Sequence, residues 1–202
     1  FHSADLLGTA YTLMGAAHAY LTQFSGANFL QGLQEYGITQ VMLAPTMIIM
    51  VLQEDEFESY DLSRFRLLFY GSSPMAVEWI RRAMDRFPGE IQQGYGLTET
   101  SPILTTLDME EHANALATGE FDILRSVGRP VISVDLRIVG DDGDEVRVGA
   151  AGEVVIRAPN VTRGYLNRPD ENEAAFQDGW FHTGDVGRVD EAGYLYLLDR
   201  KK

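Results

Sequence analysis

The sequence contains no cysteine, no long apolar run and few cations, and each shortage excludes a class of function. Without cysteine, the 202-residue chain has no disulfide, no thiolate metal site and no cysteine nucleophile. The longest apolar stretch, Val41 to Leu52, is interrupted by Pro45 and is far shorter than the roughly 20 residues that cross a bilayer. With 16 lysines and arginines against 30 acidic residues, the formal charge is -14, which argues against a nucleic-acid partner.

What the chain does contain is typical of a folded globular protein. It is 45% hydrophobic and 23% charged, an ordinary globular composition with enough length for one large or two small domains. It begins at Phe1 and ends on Lys201-Lys202 directly after a strand-like run, so we expect it to be part of a longer protein. Acidity and the lack of cysteine predict a cytoplasmic location, with peripheral attachment to a membrane left open.

The first part of the chain alternates between helix and strand patterns. Helices are predicted over residues 28–36 with Asn28 as the cap, over 46–53, and from Ser73-Pro74 to 87. Short apolar runs predict strands over 38–44, 67–70 and 91–93. This alternation predicts an α/β fold, a parallel sheet with flanking helices, in which ligands bind beyond the carboxyl ends of the strands. Residues 105–125 show few strand signals and are predicted to be a linking region.

From about residue 126 the pattern becomes that of a β protein. Strands are predicted over 134–139 and 153–157, and a hairpin over 187–198. We therefore expect a small β subdomain, a barrel or a sandwich, after the parallel sheet. The predicted domains are residues 1–125 and residues 126–202.

The most informative string is Gln-Gly-Tyr-Gly-Leu-Thr-Glu-Thr at residues 93–100. Its glycines permit close approach of a ligand to the backbone. Tyr95 offers a flat aromatic surface, and Glu99 is an oxygen ligand of the kind that Mg²⁺ takes beside phosphates. In isolation, Tyr95 reads equally as a half-buried core aromatic, and Thr98-Glu99 as the start of a helix.

Three other segments carry chemistry in combination with that string. Gly71-Ser72-Ser73-Pro74 follows one predicted strand as Gly94 follows the next, so both loops are expected at one edge of the sheet, although a serine-capped turn is an alternative. Thr183-Gly184-Asp185 reads as a strand entering a turn, and Asp199 to Lys202 as a solvated basic end.

Taken together, these strings closely resemble the AMP-forming acyl-CoA synthetases, the adenylate-forming enzymes that include fatty-acid and coumarate ligases, luciferases and peptide-synthetase adenylation domains. The resemblance covers essentially the whole chain and includes Gly164-Tyr165. It implies the latter part of a large N-terminal domain, with the acyl pocket and adenine loops in residues 1–125 and a hinge at the end of residues 126–202. It implies a reaction in which a carboxylic acid is activated by ATP and then transferred to coenzyme A.

The resemblance also implies a role for individual residues. The catalytic pair would be Thr98, on the α-phosphate, and Glu99, which helps to hold Mg²⁺. Asp185 and Arg200 would bind the ribose, and Lys202 would mark the hinge. The implied nucleotide-binding residues are Gly71, Ser72, Ser73, Gln93, Gly94, Tyr95, Gly96, Thr98, Asp185 and Arg200, with Tyr95 and the Gly71–Ser73 loop at the adenine.

The acyl pocket implied by the resemblance contains Phe1, His2, Gly71 and Gly96. His2 stands where amino-acid-activating relatives have an aspartate, so an amino-acid substrate is not expected. Gly96 stands where acetyl synthetases have a tryptophan, which leaves the tunnel open and favours a medium-chain or long-chain fatty acid. The alternatives are an aryl or coumarate-type acid and, in another functional class, a non-catalytic ligase-like nucleotide-binding or scaffold domain.

Two parts of the family pattern fall outside the sequence. The phosphate loop with its lysine would precede Phe1, and the C-terminal domain with the catalytic lysine would follow Lys202. We therefore expect residues 1–202 alone to be catalytically inactive. The sequence gives no indication of the oligomeric state.

Overall fold

In the computed structural model, the described residues are 8–101 and 103–201, and they divide into two compact units. The first unit contains the described residues up to Gly94 together with Asp108–Arg125, and the second contains Tyr95–Leu107 and Ser126–Lys201. The predicted single division between residues 125 and 126 therefore differs from the structure. Tyr95–Leu107 belongs to the second unit because Leu104 is fully buried in the core of that unit, beside Ile156 and Leu195.

The first unit is built around three parallel strands. Its elements are α1 (Ala10–Leu13), α2 (Gly26–Tyr36), β1 (Gln40–Leu43), α3 (Pro45–Leu52), β2 (Leu67–Gly71), α4 (Val77–Arg86), β3 (Glu90–Tyr95) and α5 (Met109–Thr118). β2 lies between β1 and β3 and pairs in parallel with both. Leu68 on β2 is completely buried, as expected for a strand covered on both faces. The predicted α/β class is confirmed.

Two helix starts differ from the prediction. α2 begins at Gly26 with Ser25 as its cap, because Ser25 Oγ accepts a hydrogen bond from Asn28 N at 3.1 Å, so the predicted cap at Asn28 is wrong. α4 begins at Val77 rather than at Ser73-Pro74. The reason is that Ser72 adopts a left-handed conformation, with φ of 72°, and the chain reaches Ala76 in an extended conformation before the helix starts.

The predicted linking region at residues 105–125 is also wrong, since it contains the strand β4 (Thr105–Leu107) and α5. Asp108 and Glu111 form a reciprocal capping box at the start of α5, with both side chain–backbone bonds at 2.8 Å. Gly119 ends the helix with φ of 75°. The Asp-x-x-Glu spacing before an Ala-rich run was a readable helix signal.

The second unit is predominantly antiparallel. Besides β4 it contains β5 (Arg129–Pro130), β6 (Asp135–Val139), β7 (Gly152–Arg157), α6 (Pro169–Ala175), β8 (Phe176–Gln177), β9 (Trp180–Val189) and β10 (Leu195–Arg200). One sheet runs in the order β10-β9-β7-β6, and β8 pairs with β9. The core of this unit consists of Leu104, Val127, Ile138, Val154, Ile156 and Leu195. The predicted β subdomain is confirmed.

A bulge in β9 interrupts its pairing with β7. Val155 is opposite His182 and Glu153 is opposite Val186, so Thr183–Asp185 lies opposite the single residue Val154. Such bulges commonly redirect a side chain next to a functional site. In this protein the bulge carries Asp185.

Each unit contains one of the two tryptophans. In α4, the guanidinium carbon of Arg82 lies 4.6 Å from the centre of the Trp79 ring. In β9, the guanidinium carbons of Arg137 and Arg157 lie 4.4 Å and 4.7 Å from the Trp180 ring. Both aromatic rings therefore have cationic neighbours.

Candidate functional site

In the first unit, β2 and β3 have glycines side by side near their carboxyl ends. Gly71 pairs with Gly94, and a Cβ atom added to Gly71 would lie only 2.4 Å from the Gly94 carbonyl oxygen. Glycine is required at Gly71 because this separation excludes any larger side chain. The next two residues, Ser72 and Ser73, are exposed. The prediction that the two loops leave neighbouring strand ends agrees with this register.

Gln93, on β3 beside this edge, is buried, with only 6% of its surface exposed. Its Oε1 atom has no hydrogen-bond partner among the described residues. A buried acceptor left unpaired costs roughly 1–3 kcal/mol, so a donor from a bound molecule would be stabilising at this position.

In the second unit, Asp185 joins Tyr95 and Arg200. The Tyr95 hydroxyl donates to Asp185 Oδ2 at 2.6 Å, and Arg200 Nε lies 3.6 Å from Asp185 Oδ1. Burial raises the pKa of Tyr95 well above its usual range, and the neighbouring Asp185 carboxylate raises it further. The Tyr95 hydroxyl therefore keeps its proton and remains a donor to Asp185.

The exposure of the two charged side chains differs. The Asp185 side chain is 13% exposed, whereas the Arg200 side chain is 71% exposed. Asp185 N donates to Thr183 Oγ1 at 3.1 Å, which fixes the Asp185 backbone in the bulge of β9, and the Tyr95 hydroxyl holds the carboxylate. The acid is thus fixed and the guanidinium is accessible to a ligand.

Thr98 to Thr100 form a single 3-10 turn, not the start of an α-helix. Leu97 N donates to Thr100 Oγ1 at 3.0 Å, which closes the turn from within. Thr98 is exposed and Glu99 is partly buried. The turn is also held from outside, because the Glu99 carbonyl accepts a hydrogen bond from Thr162 N at 2.7 Å.

Tyr165 fixes the Glu99 carboxylate. Its hydroxyl donates to Glu99 Oε1 at 2.9 Å. Asn172 in α6 holds Tyr165 in turn, with Tyr165 N donating to Asn172 Oδ1 at 2.6 Å and Asn172 Nδ2 donating to the Tyr165 carbonyl at 2.9 Å. Burial and the bond to Glu99 raise the pKa of Tyr165 to about 12, while Arg200 lowers it. Arg200 therefore acts electrostatically on Tyr165 as well as on Tyr95.

The structure thus brings the predicted residues together in two sets. Gly71, Ser72, Ser73, Gln93 and Gly94 lie at the edge of the parallel sheet in the first unit. The second unit contains Tyr95, Gly96, Thr98, Glu99, Asp185 and Arg200. Phe1, His2 and Lys202, predicted for the acyl pocket and the hinge, lie outside the described residues. Sequence reasoning assigned no role to Tyr165 or Asn172, although Gly164-Tyr165 was part of the family pattern.

A metal ion at Glu99 would have to be held partly by a bound ligand. Within residues 8–101 and 103–201, no group of three or more acidic, histidine or cysteine side chains could hold a metal ion. An ion at Glu99 would therefore need further oxygens from phosphate and water. This is the coordination that Mg²⁺ commonly adopts beside phosphates, so the single carboxylate fits Mg²⁺.

Comparison with known proteins gives the family. The sequence profile described as "AMP-binding enzyme" matches residues 1–166. The chain belongs to the AMP-binding enzyme family, as the resemblance predicted.

Among curated relatives, the chain is 31% identical over 201 residues to a medium/long-chain-fatty-acid–CoA ligase of Mycobacterium tuberculosis, covering 100% of this chain and 34% of that protein. It is 33% identical over 204 residues to a feruloyl-CoA synthase of an Amycolatopsis species, covering 100% of this chain and 40% of that protein. The chain therefore spans between a third and two fifths of the length of these relatives.

Among solved structures, an o-succinylbenzoate–coenzyme A synthetase of Bacillus subtilis, in complex with ATP and magnesium ion, superposes with a TM-score of 0.75 and 30% identity. The match covers 88% of this chain and 35% of that one. The same fold is therefore found in a protein that binds ATP.

In the part of the chain that the structure describes, no helix is long and apolar enough to cross a membrane.

Proposed function

We propose that this chain is the nucleotide- and acyl-binding part of an ATP-dependent, AMP-forming acid–thiol ligase. The substrate that we propose is a medium-chain or long-chain fatty acid, activated as an acyl-adenylate and then transferred to coenzyme A. The observation that carries the proposal is that Asp185 accepts a hydrogen bond from Tyr95 and forms an ion pair with Arg200, in the same unit as the Tyr165–Glu99 pair. Membership of the AMP-binding enzyme family supports it.

In the second unit, we assign Asp185 and Arg200 to the ribose. An ionised carboxylate with lone pairs to spare accepts hydrogen bonds from hydroxyl groups, and an exposed guanidinium donates them. Asp185 is held by Tyr95 and Thr183, so it is preorganised before a ligand binds. We also assign Tyr95 to the adenine, as the family resemblance implies.

In the first unit, we assign Gly71, Ser72 and Ser73 to the adenine and the acyl group. Gly71 and Gly94 pair at the ends of β2 and β3, where neither residue carries a side chain, and the exposed Ser72 and Ser73 follow Gly71. We also assign Gln93, whose Oε1 has no partner among the described residues, to the nucleotide. We also assign Gly94 and Gly96 to the nucleotide, as the family resemblance implies.

The chemistry requires two anions to meet. A carboxylate oxygen of the fatty acid attacks the α-phosphorus of ATP, the bond to the bridging oxygen of pyrophosphate breaks, and pyrophosphate leaves with the electron pair. The exposed Thr98 hydroxyl is suited to hydrogen-bond an α-phosphate oxygen. Mg²⁺ held at Glu99 would offset the phosphate charge. In the second step, the coenzyme A thiol displaces AMP from the acyl-adenylate, so the thiol comes from a substrate and not from this cysteine-free chain.

An aryl acid is the competing substrate class, since the feruloyl-CoA synthase relative is as similar to the chain as the fatty-acid ligase relative. We favour the fatty acid because the family resemblance puts Gly96 where acetyl synthetases have a tryptophan that closes the acyl tunnel. A non-catalytic nucleotide-binding role is the competing functional class. The intact acids Glu99 and Asp185, each held by a tyrosine hydroxyl, argue against it, since an unused carboxylate would need no such support.

The test is acyl-CoA formation by the intact protein with saturated fatty acids of graded length and with cinnamic acids, in parallel with ATP–pyrophosphate exchange. We expect exchange that depends on a fatty acid and a maximum at medium or long chain length. A preference for cinnamic acids would support the aryl alternative, and AMP binding without any exchange would support the non-catalytic one. We expect the isolated 202-residue chain to show no exchange.

A further inference from the structure

Glu153 on β7 is a buried carboxylate to which the proposed chemistry gives no role. Its side chain is 9% exposed and accepts hydrogen bonds from three groups. His182 Nδ1 lies at 3.0 Å, Lys201 Nζ at 3.1 Å and the backbone N of Gly184 at 3.1 Å. Burial by itself raises the pKa of Glu153, but the bonds from His182 and Lys201 outweigh it and hold the pKa below its usual value. Glu153 is therefore ionised, and both of its carboxylate oxygens accept hydrogen bonds.

Through two of these partners, Glu153 contacts the sequence neighbours of both residues that we assign to the ribose. Gly184 immediately precedes Asp185, and Lys201 immediately follows Arg200. The backbone joins the same two segments, since Lys201 N donates to the Gly184 carbonyl at 2.6 Å. One buried carboxylate thus fixes both the residue before the acid and the residue after the guanidinium.

The bulge in β9 explains why a carboxylate is needed there. Because Thr183–Asp185 lies opposite a single residue of β7, the Gly184 and Asp185 amides leave the regular pairing between the strands. Gly184 N donates instead to Glu153 Oε1, and Asp185 N donates to Thr183 Oγ1. An unpaired buried amide is costly, so these two acceptors make the bulge stable.

We propose that Glu153 is a positioning residue for nucleotide binding: Asp185 and Arg200 are direct partners in the pairing of β9 with β10, and Glu153 holds this pair in place by bonding the adjacent Gly184 and Lys201, and so sets the affinity for the ribose hydroxyls. The inference rests on the proposed function, in which Asp185 and Arg200 bind the ribose. The atoms that must be kept in register are Asp185 Oδ1 and Arg200 Nε, which lie 3.6 Å apart.

The surroundings of Glu153 make it suitable for substitution. Glu153, His182 and Lys201 line a cavity of about 250 Å³, together with Asp141 and Gln177. Water entering this cavity can hydrate a polar side chain that loses its partner. Glu153→Gln keeps an acceptor for Gly184 N but removes the charge, and Lys201→Met removes one donor from a side chain that is 44% exposed.

The experiment compares the binding of AMP and of 2′,3′-dideoxy-AMP to the intact protein by calorimetry. We expect the parent protein to prefer AMP, and Glu153→Gln to reduce that preference about tenfold, equivalent to about 1.4 kcal/mol. Affinity for the dideoxy nucleotide should stay unchanged, because it has no hydroxyls for Asp185 to bind. Lys201→Met should reduce the preference in the same direction but less.

Two further variants separate the inference from the proposed function. Asp185→Ala should abolish the preference for AMP, and its failure to do so would refute the ribose assignment and the inference with it. Glu145→Gln is the matched control, since Glu145 lies on the same unit in an exposed pair with Arg137 and should keep the full preference.

The inference alone is overturned if Asp185→Ala abolishes the preference while Glu153→Gln lowers only the thermal midpoint and leaves the preference intact. If Glu153→Gln does not fold, Lys201→Met decides the question. An unchanged preference in Lys201→Met would then count against Glu153 acting through this segment.

Discussion

The two units hold their candidate residues in different ways. In the first unit, the important feature is the absence of side chains, because Gly71 faces the Gly94 carbonyl at a distance that admits no Cβ. In the second unit, the important feature is contact between side chains, since Asp185 is held by Tyr95 and Glu99 by Tyr165. We therefore expect the first unit to lose stability when atoms are added at Gly71. We expect the second unit to lose activity when a single polar group is removed.

The largest effect should come from adding one carbon to the first unit. Gly71→Ala would place Cβ 2.4 Å from a backbone oxygen that cannot rotate away, so we expect the free energy of unfolding to fall by about 3 kcal/mol. Gly119→Ala is the control in the same unit. It meets no atom but has φ of 75°, so it should cost about 1 kcal/mol. Equal losses in urea denaturation would contradict the steric argument.

The next effect should come from removing a charge in the second unit. Glu99→Gln keeps the size of the side chain but weakens the proposed hold on Mg²⁺. In the intact protein, kcat/KM for ATP should therefore fall about 100-fold, or about 2.7 kcal/mol. Raising the magnesium concentration should restore part of the loss. Glu173→Gln changes the same charge at an exposed position of α6 and should leave kcat/KM unchanged.

A smaller effect should follow from removing the hydroxyl that holds Glu99. Tyr165→Phe leaves the ring against Phe176 but deletes the 2.9 Å bond to Glu99 Oε1, so we expect about a fivefold loss in kcat/KM, near 1 kcal/mol. Tyr60→Phe, in the first unit, is the control and should have no effect on catalysis. If Tyr165→Phe matches the parent protein at limiting magnesium, Tyr165 does not position Glu99.

A pH-dependent effect on stability should arise in the first unit, where His112 is buried against Tyr70. His112 Nδ1 lies 2.7 Å from the Asp108 carbonyl and Nε2 lies 3.0 Å from the Tyr70 hydroxyl, so the neutral ring donates to one and accepts from the other. Burial lowers the pKa of His112 from 6.5, against the opposing influence of Asp108 and Glu111.

The unfolded state therefore binds the His112 proton more readily than the folded state. The stability that comes from burying His112 in its neutral form is fully present above the unfolded pKa of 6.5. It is lost as the pH falls below that value, with a slope of up to about 1.4 kcal/mol per pH unit. The measurement is urea unfolding at several pH values. In His112→Gln the same curve should be flatter below pH 6.5, and identical slopes in the two proteins would remove His112 as the cause.

The smallest effect should be a stabilisation in the glycine-rich loop. Ser72 has φ of 72°, which disfavours a side chain, so Ser72→Gly should raise the free energy of unfolding by about 0.5 kcal/mol after the entropy of the unfolded chain is deducted. Ser73→Gly, without that strain, should lower it by a similar amount. The same sign for both variants in thermal unfolding would contradict this account.

The strands and the family string were readable from sequence because their signals are local. Leu67–Tyr70 is a short apolar run and residues 93–100 are contiguous, so composition and order alone located them. α5 was not predicted, although the Asp-x-x-Glu spacing of Asp108 and Glu111 is a local signal for the start of a helix.

The contacts between distant segments were not readable. Tyr165 meets Glu99 across 66 residues and Glu153 meets Lys201 across 48. Both pairings depend on the register and bulges of the second unit's sheet, which no local pattern specifies. Sequence reasoning therefore located Glu99 but assigned no role to Glu153, and only the fold showed the partners of both.

The placement of one indole ring in each unit, Trp79 in α4 and Trp180 in β9, provides two separate optical reporters. With either ring replaced by phenylalanine, the remaining emission follows the melting of a single unit. Coincident curves for the two variants would indicate that both units unfold in one cooperative step. Divergent curves would indicate which of them gives way first on heating.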